Sequence, residues 1–335
     1  MRIVEGNSIE SKLWAELVGQ SEVATWFQTE EAYAFFDSLS FLEAFAYAVE
    51  NDGQLKGVAV GYIQEDGNGL KRFFSRRAII LGGLLLADDI ADEELGALLG
   101  SLKANLSRKV IYIETRNFND YSRWHKVFNN CSFAYEPHYD VIVDTSSIEA
   151  VNGKLDRNRK RNIKKAVENG LVIDNNPSEA DIASFYSLLD DLYKTKVKTP
   201  LCPFEFFEEL HKLPNSLFCL SKDAEGKVIG GLVCITMVGK AVYAWYACGD
   251  DGHQNKNLFP SVMSNYAGIC YAAENGLPRF DFMGAGKPDD GGYGVRDFKL
   301  KFGGELVEYG RFSFVCNRLL YGIGKLGVNF MKKMR

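Results

Sequence analysis

The sequence predicts an α/β protein built from two tandem domains, each a mixed sheet flanked by helices. Strands and helices alternate in both halves in a single order: hairpin, strand, helix, strand. The hairpin itself returns, since "VENDGQLKGVAVGYI" and "LSKDAEGKVIGGLVCIT" share an acidic turn and a return strand of small residues, the mark of a duplicated unit. The length agrees: 335 residues is two domains at roughly 150 residues each.

In chain order, residues 8–19 and 29–39 read as helices. Glu30 and Glu31 sit in the first turn of the second one, where carboxylates favour the helix dipole. Its aromatics Tyr33, Phe35 and Phe36 are core candidates. Phe41–Glu50 and Leu55–Gln64 form a hairpin about Asn51-Asp52-Gly53. A strand over Ala78–Ala87 is interrupted by Gly82-Gly83, and a helix over Asp92–Leu106 follows. A strand over Val110–Thr115, a helix over Tyr121–Phe128 and a strand over Tyr139–Asp144 close the first domain, set at 1–145.

The second domain, set at 146–316, opens with a strongly basic helix, DRNRKRNIKKAVE at 156–168, which Gly170 stops. Strands follow at Leu217–Ser221, Lys227–Met237 and Val242–Ala247. A helix over Phe259–Asn275, a strand over Arg279–Met283 and a closing strand over Leu306–Phe314 complete it. The tail, 317–335, carries Leu319, Ile323, Leu326, Phe330 and Met334 on one face with five cations and no acid. That is the composition of a basic amphipathic helix suited to an anionic membrane surface, or of a helix packed on the body.

Composition narrows the function. A net charge of −5 gives no global basic field for nucleic acid, leaving only local patches. Seven scattered cysteines without a CxxC pair predict free thiols in a reducing cytoplasm. The four histidines have no metal-ligand spacing, so no metal site is expected. The N-terminus lacks a secretory apolar stretch and no long apolar run occurs, which points to a cytoplasmic protein.

One stretch carries the chemistry: RFDFMGAGKPDDGGYGVRDFKLKFGGE, Arg279 to Glu305. A short alternating strand runs into Gly284-Ala285-Gly286, where the backbone can bend and approach a ligand. A second glycine cluster follows, Gly291, Gly292 and Gly294. Then Arg296–Phe302 reads as a short helix stopped by Gly303-Gly304.

The pattern "DF-x-G…G…FK-x-x-FGG" resembles the last motif of the Fem-type peptidyltransferases and the related BioF2-like acetyltransferases. The "R-x-x-I-K-K-A-x-x-x-G" of the basic helix and the Trp26-Phe27-Gln28 segment resemble the same family. The likeness is strongest from Arg157 to Glu305, and the long coiled-coil arm some of these proteins carry has no counterpart here. The resemblance implies two tandem GNAT-like domains. It also implies transfer of an aminoacyl or acyl group to an amine of a peptidoglycan-type cell-envelope precursor; a basic tail held on an anionic surface would put the cytoplasmic protein at the inner face of the membrane. The donor is then a co-substrate, aminoacyl-tRNA or acyl-CoA, with no tightly bound cofactor. Lys299, in the "FK" of the motif, is placed by the resemblance near the donor carbonyl.

In such a fold two strands of the second domain part, and acyl donor and amine meet in the gap. The pair here is Val242–Ala247 and Arg279–Met283. Lys299 can stabilise developing negative charge, and Asp281 can accept from the incoming amine or hold backbone amides. Substrate contacts are expected from Tyr246, Gly284, Gly286, Tyr293 and Arg296. Arg157 and Arg161, at i and i+4 on the basic helix, suit a phosphate group. Alternation along the strand sends Trp245 and Tyr246 to opposite faces.

Two other readings stay open. One is an acyl-CoA-dependent N-acyltransferase acting on a sugar nucleotide or polysaccharide precursor. Against it, the loop expected to hold a coenzyme A diphosphate reads Gly249-Asp250-Asp251-Gly252, and its carboxylates repel that group. The other is a non-catalytic binding protein on the same fold.

Overall fold

The structure is a computed structural model. It describes residues 1–66, 75–289, 291 and 293–324, with the side chain of Tyr293 excepted. The chain divides into two compact units, Met1–His138 with Glu308–Arg335, and Tyr139–Val307.

The first unit contains strands β1 (Arg2–Glu5), β2 (Glu43–Asn51), β3 (Gln54–Gln64), β4 (Arg77–Gly82), β5 (Leu85–Leu86), β6 (Tyr112–Asn117) and β7 (Ala134–Glu136). Its helices are α1 (Ser11–Gln20), α2 (Glu30–Ser38), α3 (Asp92–Leu106) and α4 (His125–Asn130). As the acids of its first turn suggest, α2 starts where expected, and the Thr29 hydroxyl accepts from Ala32 N at 3.1 Å. The strongly apolar face of α3 (Leu95, Leu98, Leu99, Leu102, Leu106) is buried in the core of this unit.

The second unit contains β8 (Tyr139–Asp144), α5 (Ile148–Lys154), α6 (Arg157–Glu168), β9 (Val172–Asp174), α7 (Glu179–Leu192), α8 (Phe204–His211), β10 (Ser216–Lys222), β11 (Val228–Met237) and β12 (Ala241–Gly249). It continues with α9 (Pro260–Glu274), β13 (Arg279–Asp281), α10 (Tyr293–Leu300) and β14 (Glu305–Glu308), after which β15 (Arg311–Val315) returns to the first unit. Asp156 caps α6 by accepting from Asn158 N at 2.8 Å, and Gly170 ends it in the left-handed conformation (φ +81°).

The two sheets follow one plan, in the orders β1-β2-β3-β4-β6-β15-β7 and β14-β8-β13-β12-β11-β10-β9. Each has one parallel pair, β4 with β6 and β12 with β13, while the other pairings described are antiparallel. This is the duplicated α/β architecture that the repeated hairpin predicts.

The domain boundaries differ from the expectation of 145/146 and 316. β8, expected to close the first domain, pairs with β13 in the second sheet. The expected closing strand Leu306–Phe314 is two strands, broken at Tyr309-Gly310 (Gly310 φ +64°). Of these, β15 lies between β6 and β7 of the first sheet. Each unit thus receives one strand that the chain order assigns to the other. Alternating apolar patterns read the same in either sheet, so strand recognition alone cannot reveal the exchange. The tail starts as a helix over 318–324, and 325–335 lie outside the described residues.

Candidate active site: a parted strand pair with a clamped bend

β12 and β13 pair over only three rungs, ending at Tyr243↔Asp281. Beyond that rung β12 stays on β11 as far as Gly230↔Gly249. The chain leaving β13 instead follows β8: Phe282 N donates to Val141 O (3.1 Å), Ala285 N to Tyr139 O (2.7 Å), and Tyr139 N to Gly286 O (2.8 Å). The two strands therefore part, and residues 244–248 of β12 turn alternate main-chain groups toward the gap.

The arm that leaves is sharply bent. Met283 (φ +54°), Gly284 (φ +125°) and Gly286 (φ +82°) all have positive φ, a conformation costly for Met283 and natural to glycine. Three charged side chains hold the bend. Asp281 Oδ1 accepts from Met283 N and Asp140 Oδ1 from Gly284 N, both at 2.8 Å. Lys299 Nζ donates to Phe282 O (3.0 Å) and Gly284 O (2.5 Å). So two carboxylates take the bend's amides while one ammonium takes its carbonyls. Arg296 secures the next stretch, donating to Ala285 O (3.1 Å) and Lys287 O (2.6 Å), its guanidinium 4.8 Å from the centre of the Tyr139 ring.

The cluster is buried and charged. Asp140 is 3% and Asp281 0% exposed. Burial, and then the Asp281 carboxylate to which it hydrogen-bonds, push the Asp140 carboxyl well above the usual range. Burial lowers the Lys299 ammonium, while the two carboxylates pull it back up. Arg279 Nη2 pairs with Asp281 Oδ2 at 2.6 Å.

The structure thus brings together Lys299, Asp281, Gly284, Gly286 and Arg296. It also adds Asp140, which sequence reasoning missed. Only the pairing of β8 with β13 puts Asp140 there, and a strand 140 residues from the motif carries no local signal for it. The expected catalytic role of Asp281 does not fit: one oxygen is held by Met283 N and the other by Arg279. Tyr293 begins α10, and its side chain lies outside what is described.

Tyr246 lies on the other arm, three residues past the last rung. The expectation for its face needs correction. β12 has an irregularity opposite Val233/Cys234, where Val233 faces Tyr246 and Cys234 faces Ala244, leaving Trp245 as the extra residue. The bulge cancels the alternation, and both rings pack on Phe206 of α8, at 4.9 Å (Trp245) and 5.7 Å (Tyr246). The Tyr246 hydroxyl donates to Cys202 Sγ at 3.4 Å. Arg157 and Arg161 are exposed on α6, and neither has a hydrogen bond or ion pair to the clamp residues among those described. The inward-facing arginine of that helix is Arg159, 7% exposed, which donates to Phe298 O at 3.0 Å and lies 4.2 Å over the Phe298 ring.

The equivalent place in the first unit is filled. β4 leaves β6 at Gly82-Gly83, both at φ +76°. Gln28 Nε2 donates to both their carbonyls (3.0 and 3.2 Å), and the Tyr121 hydroxyl to Leu84 O (2.5 Å). Gln28 and Tyr121 are 0% and 2% exposed. In the loop before α9, Asp251 Oδ1 accepts from Ser261 N in the first turn (3.3 Å), which puts a carboxylate at that helix N-terminus.

Two tandem units of GNAT-like fold make up the chain, and the second holds the parted strand pair. Residues 208–327, from α8 through the motif, match the model of the FemAB family, so the resemblance carried by the FK motif is borne out there. Among solved structures, the chain is similar to "FemX" (TM-score 0.71, 16% identity, 96% of this chain and 99% of that one). It is similar to a tandem GNAT protein from the clavulanic acid biosynthesis pathway (TM-score 0.59, 9% identity, 94% and 98%). It is also similar to L-PGS from Bacillus licheniformis (TM-score 0.57, 10% identity, 95% and 96%). No curated protein matches the sequence significantly. Among the described residues no helix is long and apolar enough to cross a membrane, and no cluster of three or more His, Cys, Asp or Glu could hold a metal ion.

Proposed function

We propose that the second unit transfers an aminoacyl group from an activated ester to an amine of a cell-envelope precursor. The observation that carries this reading is the gap between β12 and β13, with one arm clamped by Lys299, Asp140 and Asp281. The family match over 208–327 and the likeness to FemX support it.

In the reaction the amine nitrogen forms a bond to the ester carbonyl carbon, and the carbonyl oxygen takes negative charge. The C–O bond then breaks, and the proton lost by the amine ends on the leaving oxygen. The open edge of β12 lays the donor along the gap. The clamped bend fixes the opposite wall, so the reacting atoms meet in one geometry. The positive charge of Lys299, directly behind the Phe282 and Gly284 carbonyls, favours the oxyanion without being consumed. In this scheme Lys299, Asp140, Asp281 and Arg296 are positioning residues, while Tyr246 and the main chain at Gly284 and Gly286 border the substrates. The acceptor is a phosphate-bearing precursor, and the basic tail 317–335 keeps the enzyme at the inner membrane face.

The Asp251 cap at α9 favours an aminoacyl ester over an acyl-CoA thioester as donor. The test supplies the protein with radiolabelled aminoacyl-tRNAs, or with labelled acetyl-CoA, and an amine-bearing nucleotide-linked precursor. Label moving to the precursor from an aminoacyl-tRNA supports the reading. Label moving only from acetyl-CoA overturns it.

A further inference from the structure

One helix face remains unused by this scheme. On α6, Arg157, Lys160, Arg161, Lys164 and Lys165 are all exposed, at the spacing i, i+3, i+4, i+7, i+8 of a single face. The other side is fixed in the unit by Ala166 (0% exposed) and Arg159 (7%). Among the described residues, the one ion pair found for these five cations is Lys164 with Glu168, at 3.8 Å. The only other acid on the helix or its caps is Asp156, at the N-cap. A protein of net charge −5 thus concentrates five cations on one helix face.

We infer that this face docks the phosphate backbone of an RNA duplex, the stem of the donor. The inference rests on the reading that the donor is an aminoacyl ester of RNA. Arg157 to Lys165 span about 12 Å of helix axis, and a nucleic-acid duplex carries one charge per roughly 1.7 Å. Several phosphates therefore fall within reach of the five cations, whereas a diphosphate engages only the nearest two. An anionic membrane fits less well, because the apolar side of α6 is already packed inside the unit and cannot insert. Position is the second argument. The N-terminal turn of α6 rests on α10, the helix of the clamp: Asp156 N donates to Lys301 O (3.1 Å) and Arg159 to Phe298 O. A stem held there reaches the cleft at one end.

The test measures anisotropy of a labelled, uncharged RNA hairpin of about seven base pairs with a single-stranded 3′ end, across a salt series, against the full chain. The comparison variant carries Arg157→Gln, Lys160→Gln, Arg161→Gln, Lys164→Gln and Lys165→Gln, all at exposed positions, with its melting temperature as a control. The expected result is a log–log salt slope of about −3 to −4 that falls by about 3 in the variant, with a loss of roughly 10²-fold or more in affinity at low salt. An unchanged slope overturns the inference. So does binding confined to phosphatidylglycerol vesicles, or competition by pyrophosphate as strong as by RNA. The two readings fail separately. Transfer that persists in the variant with unchanged KM for charged RNA removes the docking face and leaves the reaction. RNA binding that depends on α6 without any transfer does the reverse.

Discussion

Replacing Lys299 probes the clamp most sharply. Lys299→Met keeps the length of the stem and deletes the ammonium, leaving Phe282 O and Gly284 O without their donor and removing a positive charge that both Asp140 and Asp281 feel. An unsatisfied buried polar group costs about 1–3 kcal/mol, and these two carbonyls are half-buried, so a loss of roughly 2–3 kcal/mol is expected. At about 2–4 °C per kcal/mol for a unit of this size, the melting temperature drops by about 4–12 °C. The larger effect is on the reaction. Once the bend relaxes by about 1 Å, misplacement of the reacting groups lowers kcat by about 10²-fold or more, with KM changed far less. Lys299→Arg, which restores charge and donors in another shape, recovers part of the rate. The assay is single-turnover transfer of labelled aminoacyl groups beside a thermal melt. Lys299→Met with near-native kcat and a lowered melting temperature would show that the bend is scaffolding and would refute the reasoning.

Other expectations follow from the same geometry. Asp140 has a folded-state pKa raised by burial and by Asp281, so its contribution to stability is full below the unfolded pKa and is lost as pH rises through the folded one. Asp140→Asn keeps the acceptor for Gly284 N and adds a permanent donor toward Asp281, so melting temperatures taken from pH 5 to 8 should fall less steeply than those of the native chain. A fragment of residues 1–138 lacks β15, whose Phe312 (0% exposed) stacks on Phe128 at 3.9 Å, and should show no cooperative melt by circular dichroism. Phe312→Ala in the full chain should cost about 3–5 kcal/mol, read as a shifted denaturant midpoint. Coenzyme A at millimolar concentration should move the melting temperature by less than about 1 °C, because a ligand that binds weakly shifts stability little. A shift of several degrees would reverse the donor preference.

Much of this was legible in the sequence because it is local. The acids and Thr29 start α2, Asp156 and Gly170 bound α6, and the glycines after Phe282 mark a bend that the structure does contain. The parting of β12 from β13 was expected only through the resemblance to the Fem-type family, not from the residues themselves. What stayed hidden depends on distant pairing or on irregularity. Asp140 enters the clamp only because β8 leaves its own half of the chain for the second sheet, a choice no periodicity encodes. Trp245 upset the face assignment because one extra residue in β12 breaks the period on which the assignment stood. On α6 the charge run was conspicuous, yet the sequence could not say that Arg159 turns inward while Arg157 and Arg161 face water; packing against Phe298 decides that. The stretch 171–216, which yields β9, α7 and α8, gave no motif to read.

The most direct measurement is a crystal structure with a non-hydrolysable donor, an aminoacyl group in amide linkage to a 3′-terminal adenosine. Its carbonyl should lie in the wedge between residues 244–248 and the bend at Met283–Gly286, within reach of both walls. Density for the carbonyl in the first unit, or outside that wedge with the wedge itself empty, would contradict a transfer centre between these two strands.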